Sequence, residues 1–283
     1  MAPPVPVVLT IAGFDPSSGA GVTADIKTIA AHGCYGVSCI TALTVQSTAG
    51  VRRVEAVSPN LLAEALDELN SDLEISAVHV GMLGSGKIAR VVSDFLEKAK
   101  LQNIVLDPVM KSSSGADLID ASGARLLIER LLPLASVVTP NVDEAAFLTG
   151  LAVTSLDQMR QAAIKLHDMG AANVVITGGH LEKAIDLLSF TSRRGVEQEV
   201  FKSDKQRSNS THGTGCAFST AMACHLARGR GLPEAVLLAK AYVAAAIVNA
   251  HPLGHGVGPV HHLYRMHSHR TDQQRRVVIN DPE

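Results

Sequence analysis

Short, nearly continuous apolar runs alternate with stretches of helical period along most of this chain. Val5 to Ala12 is the first run, rich in β-branched residues and closed by Gly13 and Pro16, the pattern of a strand covered on both faces. Similar runs recur at Ala77–Val80, Ile104–Leu106, Val137–Val138 and Val174–Ile176, with helical patterns at Pro59–Asp72, Lys87–Ala99, Ala121–Leu132 and Leu156–Met169. Such alternation predicts right-handed βαβ units and an α/β fold with a central, mostly parallel sheet flanked by helices on both faces. Two places break the rhythm. Gly36–Gln46 and Val51–Val57, joined through Ser47–Gly50, read as extended chain forming a small flap, and Ile185–Thr191 with Val196–Phe201 read as a second antiparallel pair. Two Ala-rich helices are expected at Ala217–Arg228 and Pro233–Ala250. The apolar rhythm ends at Tyr264, which predicts a single domain over residues 1–264 and a polar tail over 265–283.

Composition narrows the function. A chain of 283 residues with 46% hydrophobic content buries a sizeable core. A net charge of -2, 3% aromatics and no Trp leave no broad cationic surface and few rings for stacking, so nucleic acid is not an expected partner. The N-terminal MAPPVPVVLTIAG lacks a basic flank and is too short to span a bilayer, so a soluble, cytoplasmic protein with no membrane partner is expected. Cys34, Cys39, Cys216 and Cys224 show no C-x-x-C spacing, which fits reduced thiols. Half of the twelve histidines lie between His251 and His269; a polar C-terminus is the preferred reading over a metal tract.

Three glycine motifs compete for the chemistry. Gly19-Ala-Gly21 before a helix resembles a dinucleotide fingerprint, but the next acidic residue after Asp25 is Glu55, too distant for a ribose. Gly81-x4-Gly86-Lys87 nearly spells a phosphate-binding P-loop, yet Ile88 replaces the hydroxyl that would hold magnesium, so a simple strand-to-helix turn is favoured. Thr211-His-Gly213-Thr214-Gly215-Cys216 opens a long apolar helix, where glycine backbone N–H groups and the helix N-terminus favour an anion such as a phosphoryl group in transfer. An ordinary glycine loop before a core helix is the alternative.

Together these segments resemble the hydroxymethylpyrimidine/phosphomethylpyrimidine kinases of thiamin biosynthesis, within the ribokinase-like superfamily. The resemblance rests on Ala12-Gly-Phe-Asp-Pro-Ser-Ser-Gly-Ala-Gly21, Ala24-Asp-Ile-Lys-Thr28, Ala42-Leu-Thr-Val-Gln46, Gly81-Met-Leu83, Asp107-Pro-Val-Met110, Thr139–Ala145, Gly178-Gly-His180, His212–Cys216 and Gly254–Pro259. It implies a ribokinase-like kinase that uses ATP and Mg2+ to phosphorylate an aminopyrimidine alcohol and then its monophosphate, as a homodimer.

The resemblance also implies residue roles. Gln46 would pair with the pyrimidine through its amide, Asp25 would meet the substrate's polar edge, Met82 would supply apolar surface, and Gly13 would admit close approach. Asp107 and Glu144 would hold magnesium, and Asn141, Thr177, Gly179 and Thr211 would serve the nucleotide. Gly213, Thr214 and Gly215 would form the anion nest, with Cys216, its thiol pKa lowered at a helix N-terminus, as base for the alcohol. Thr177 departs from the lysine common in the family's K-G-G-H, and Val45, Ser47 and Lys111–Gly115 also vary, which leaves substrate preference less fixed than reaction class. A pyridoxal or pyridoxine kinase on the same fold, and a catalytically silent pyrimidine sensor, are the competing readings.

Overall fold

The computed structural model describes residues 4–112, 115–179, 184–203 and 208–268. Along the chain run β1 (Val7–Phe14), α1 (Gly21–Ala31), β2 (Tyr35–Ser47), β3 (Gly50–Ala56), α2 (Pro59–Asp72), β4 (Ile75–Val80), α3 (Gly86–Ala99), β5 (Ile104–Leu106) and α4 (Ala121–Leu126). A π-helical turn at Leu127–Leu131 leads into α5 (Leu132–Leu134), followed by β6 (Val137–Val138), α6 (Val142–Thr149), α7 (Leu156–Asp168), β7 (Asn173–Gly178), β8 (Ala184–Ser192) and β9 (Gly195–Ser203). The last described elements are α8 (Thr214–Ala227), α9 (Leu232–Val248) and α10 (Tyr264–Ser268).

Among the described residues nine strands form one sheet in the order β3-β2-β1-β4-β5-β6-β7-β8-β9. From β2 through β7 the main pairings are parallel, and β3, β8 and β9 add antiparallel edges. Alternation within a strand feeds two cores: Leu9 and Ile11 face the layer of α2, α3, α4, α6 and α7, while Val8 faces α1, α8 and α9. The chain leaves β1 for β2 on one side and returns to β4 on the other, so the carboxyl end of β1 lies at a topological switch point, where open α/β sheets bind ligands.

Local chemistry sets the helix boundaries. Ser58 and Ser155 cap α2 and α7, and Asn141 with Glu144 forms a reciprocal capping box on α6. Two elements depart from the sequence reading. The helix expected over Ala121–Leu132 widens into the π turn just before Pro133, which has no N–H to donate to Glu129 and crowds that carbonyl. The Gly36–Gln46 segment is not only flap. Its first half, from Tyr35 to Ile40, pairs parallel with β1, and Cys39 is buried in the core; only Ala42–Ser47 pairs antiparallel with β3. A β1–α1–β2 unit therefore precedes the flap, because Gly36 lets β2 press against Ile26 and Ile29 of α1. Among the described residues no helix is long and apolar enough to cross a membrane.

Candidate active site

The loop after β1 is organised by one carboxylate. Asp15 accepts from Ser17 N and Oγ at 2.8 and 2.7 Å and from Gly19 N and Ala20 N at 3.2 and 2.9 Å. This turns the chain sharply into α1, with Ser18 at φ 60°. Glycines then let two helix starts meet. A Cβ on Gly21 would lie 2.1 Å from Gly13 O, and one on Gly213 (φ +81°) would lie 1.9 Å from Gly19 O. The N-termini of α1 and α8 therefore converge, and the Gly21 N–H hydrogen-bonds Cys216 at the start of α8.

Acidic groups line the same region. Asp107 follows β5 and is buried; a Cβ on Gly215 would lie 3.9 Å from its Oδ2. Burial pushes the Asp107 carboxyl up to about 6, with Asp25 adding to the rise and His79 opposing it. Glu144 accepts from Asn141 N at 2.9 Å and is pushed up to about 8 by burial and then by Asp107. The charge of Asp107 is therefore close enough to be felt at Glu144. Among the described residues no group of three His, Cys, Asp or Glu side chains is placed to hold a metal. Two oxygen donors nonetheless suit magnesium, which retains waters and takes phosphate oxygens to complete its shell.

Met82 packs on Gly13, where a Cβ would come within 2.8 Å of its Sδ, and Thr41 Oγ1 donates to Met82 O at 2.6 Å. Gln46, on the flap, reaches His212, whose Nε2 lies 2.9 Å from Asp15 Oδ2. Asn141 and Thr177 bridge at the carboxyl ends of β6 and β7, and Thr177 N donates to Pro140 O at 2.9 Å. Gly179 opens onto free space, and Thr211 accepts from Thr214 N at 3.3 Å at the entry to α8. His180, Ser113, Ser114 and the tail beyond residue 268 lie outside the described residues.

Two expectations are corrected. Asp25 presents no edge to a substrate: it is fully buried, Oδ2 accepts from Thr10 Oγ1 at 2.7 Å and lies 3.3 Å from His79 Nδ1, and Oδ1 accepts from Thr220 Oγ1 at 2.9 Å. It ties α1 to β1, β4 and α8 from beneath. The Cys216 thiol is not lowered: burial, then Asp107 and Asp25, push it well up, against the Gly21 hydrogen bond. The helix N-terminus loses because burial outweighs it, with the charges of Asp107, Asp25 and Glu144 adding to the rise. The P-loop look-alike is resolved in favour of a turn, since Asp120 supplies the anion at the α3 N-terminus, accepting from Gly86 N at 3.1 Å while capping α4 through Gly123 N at 2.7 Å.

The sequence patterns gave no role to Asp15, His212 or the part-buried pair Lys240–Asp186. In that pair Nζ lies 2.7 Å from Oδ2, and Asp186 Oδ1 accepts from Gly178 N at 3.0 Å. The signal for Lys240 was a single lysine in the otherwise apolar middle of α9.

The chain has known relatives in sequence and in fold. The phosphomethylpyrimidine kinase profile matches residues 15–261. The thiamine biosynthesis bifunctional protein ThiED of Geobacter sulfurreducens is 44% identical over 258 residues, 90% of this chain, which spans only 52% of that protein's length. The hydroxymethylpyrimidine/phosphomethylpyrimidine kinase of Haemophilus influenzae is 40% identical over 257 residues, covering 90% of this chain and 96% of the relative. An ADP complex of Bacillus subtilis pyridoxal kinase superposes with a TM-score of 0.84 at 34% identity, covering 93% of this chain and all of that one. With its ribokinase-like sheet, its paired helix N-termini and this extent of matching sequence, the chain belongs to the phosphomethylpyrimidine kinase family.

Proposed function

We propose that this protein transfers the γ-phosphoryl group of ATP to 4-amino-5-hydroxymethyl-2-methylpyrimidine and then to its monophosphate, supplying the diphosphate to thiamin biosynthesis. The observation that carries the reading is the meeting of the α1 and α8 N-termini, with Gly213 against Gly19 O and Asp107 alongside Gly215. Two helix starts aimed at one place stabilise an anion where phosphoryl charge develops.

In this reading Gly213, Thr214 and Gly215 hold the phosphoryl group in flight, and Gln46, Met82 and Gly13 hold the pyrimidine. Asn141, Thr177, Gly179 and Thr211 face the nucleotide along the strand ends. Asp107 and Glu144 would hold Mg2+, which when bound neutralises phosphate charge. Cys216 meets the acceptor oxygen as a protonated thiol, which suits the second phosphorylation best, because the acceptor there is already an anionic phosphate and needs no base. A single domain over residues 1–264, a homodimer and a cytoplasmic location complete the proposal; the flap's exposed Leu43 and Val45 are consistent with a partner copy.

The likeness to a pyridoxal kinase makes pyridoxal the acceptor to compare. Coupled measurement of ADP release with the pyrimidine, its monophosphate and pyridoxal decides. Preference for both pyrimidines supports the reading, preference for pyridoxal overturns it, and no ADP release with any acceptor points to a silent binder.

A further inference from the structure

Gln46, His212 and Asp15 form a line from the flap to the loop after β1. Gln46 Nε2 lies 3.2 Å from His212 Nε2, which lies 2.9 Å from Asp15 Oδ2. At the other end of the amide, Thr44 Oγ1 lies 3.2 Å from Gln46 Oε1 and 3.0 Å from Phe14 O.

Proton counting decides how the line is wired. Burial works against the charge of Asp15, but hydrogen bonds from His212 and Ser17 outweigh it and hold the carboxyl below its usual value. A carboxylate only accepts, so His212 Nε2 carries a proton, whether the ring is neutral or cationic. That atom cannot also accept from an amide NH2. Thr44, for its part, has one hydroxyl proton and two oxygens within reach. A half-turn of the amide removes both conflicts: its oxygen shares the His212 proton with Asp15, and its nitrogen donates to Thr44 Oγ1, whose own proton goes to Phe14 O.

We infer that the Asp15–His212 pair locks the Gln46 amide in this half-turned orientation and so makes His212 the positioning residue that distinguishes amino- from oxo-pyrimidines. The inference rests on the assignment of Gln46 to the substrate. The locked amide has one carbonyl lone pair and one N–H left over, on a shared edge. An aminopyrimidine matches them, its exocyclic amine donating to the carbonyl and its ring nitrogen accepting the N–H. The corresponding 4-oxo ring presents a carbonyl and a ring N–H instead, so it sets acceptor against acceptor and donor against donor. Only a reversed amide would accept it in the same pose.

His212→Phe removes the lock and keeps a ring of similar shape. The ratio of kcat/KM for the amino- over the 4-oxo-pyrimidine is expected to fall by about tenfold or more, since mismatched buried hydrogen bonds cost about that much. An unchanged ratio, with both substrates slowed alike or neither slowed, overturns the inference, because a structural role would not discriminate. Long-range 1H–15N spectra of the wild-type, ligand-free protein, labelled at histidine and with His212 assigned through its own backbone, give a second readout. A protonated Nε2 is expected; an unprotonated Nε2 overturns the wiring. This spectrum involves no substrate, so it stands or falls separately from the identity of the acceptor.

Discussion

Gly213→Ala tests the convergence of the two helix starts. The backbone there holds φ +81°, where a Cβ costs about 1–2 kcal/mol on its own account. The added Cβ would lie 1.9 Å from Gly19 O, about 1.4 Å short of the ~3.3 Å at which carbon rests against a carbonyl oxygen. That oxygen is backbone, so the α8 start must retreat from α1 or the Asp15 loop must give. Gly150→Ala is the matched control: φ is +71° and nothing lies within 4 Å of its Cβ. Both variants should lose about 2–8 °C of Tm from the backbone term, at about 2–4 °C per kcal/mol for a chain of this size. Only Gly213→Ala should lose more than that, and with it about a hundredfold in kcat, the scale set by misplacing reacting groups by about 1 Å. Differential scanning calorimetry and single-turnover phosphorylation measure the two effects. Gly213→Ala turning over like Gly150→Ala would refute the reasoning.

Gln46→Leu should weaken pyrimidine binding by about 1 kcal/mol or more and leave ATP binding nearly intact, which calorimetric titration of each ligand checks. Asp107→Asn and Glu144→Gln should raise the magnesium concentration needed for half-maximal turnover while circular dichroism stays native; wild-type metal dependence in both would remove them from that role. Cys216, pushed well up by burial and its carboxylate neighbours, should react slowly with iodoacetamide at pH 8 relative to a free thiol, and fast alkylation at that pH would restore the thiolate base. Asp120 is held below its usual value chiefly by the Ser122 hydrogen bond, with Gly123 and Gly86 adding to it. Its stabilisation is therefore full above the unfolded value of about 3.9 and lost as pH falls through the folded one. Asp120→Ala should cost about 0.5–2 kcal/mol in urea unfolding at pH 7, with the difference shrinking in acid.

The strands were legible because burial on both faces leaves a direct trace in composition: Ile104–Leu106 and Val137–Val138 are strands with the boundaries the apolar pattern predicts. The first half of β2 was legible as extended chain but not as a strand beside β1, since Tyr35, Gly36 and Ser38 interrupt its apolar run and its place depends on α1 packing on Gly36. The glycine nest could be read from spacing, but the geometry that gives it meaning joins Gly19 to Gly213 across the sequence. Polar contacts between distant positions leave even less trace. Asp15 and His212 stand 197 residues apart, and Asp25 looks like a helix-start carboxylate until Thr10, His79 and Thr220 are seen to close around it. The same closure explains why a thiol at a helix N-terminus is pushed up here: local sequence shows the helix, while the burial, and after it the carboxylates at 107, 25 and 144, come from other elements.

The central claim is that one site phosphorylates an alcohol and then the phosphate it has made. Phosphorus NMR of a single reaction holding the wild-type protein, ATP, Mg2+ and the hydroxymethylpyrimidine follows both steps at once. A pyrimidine monophosphate resonance is expected to rise and then to be converted to the coupled pair of signals of a diphosphate ester. A monophosphate that accumulates without further conversion, or a wild-type protein that leaves the alcohol untouched while phosphorylating pyridoxal, would contradict the claim.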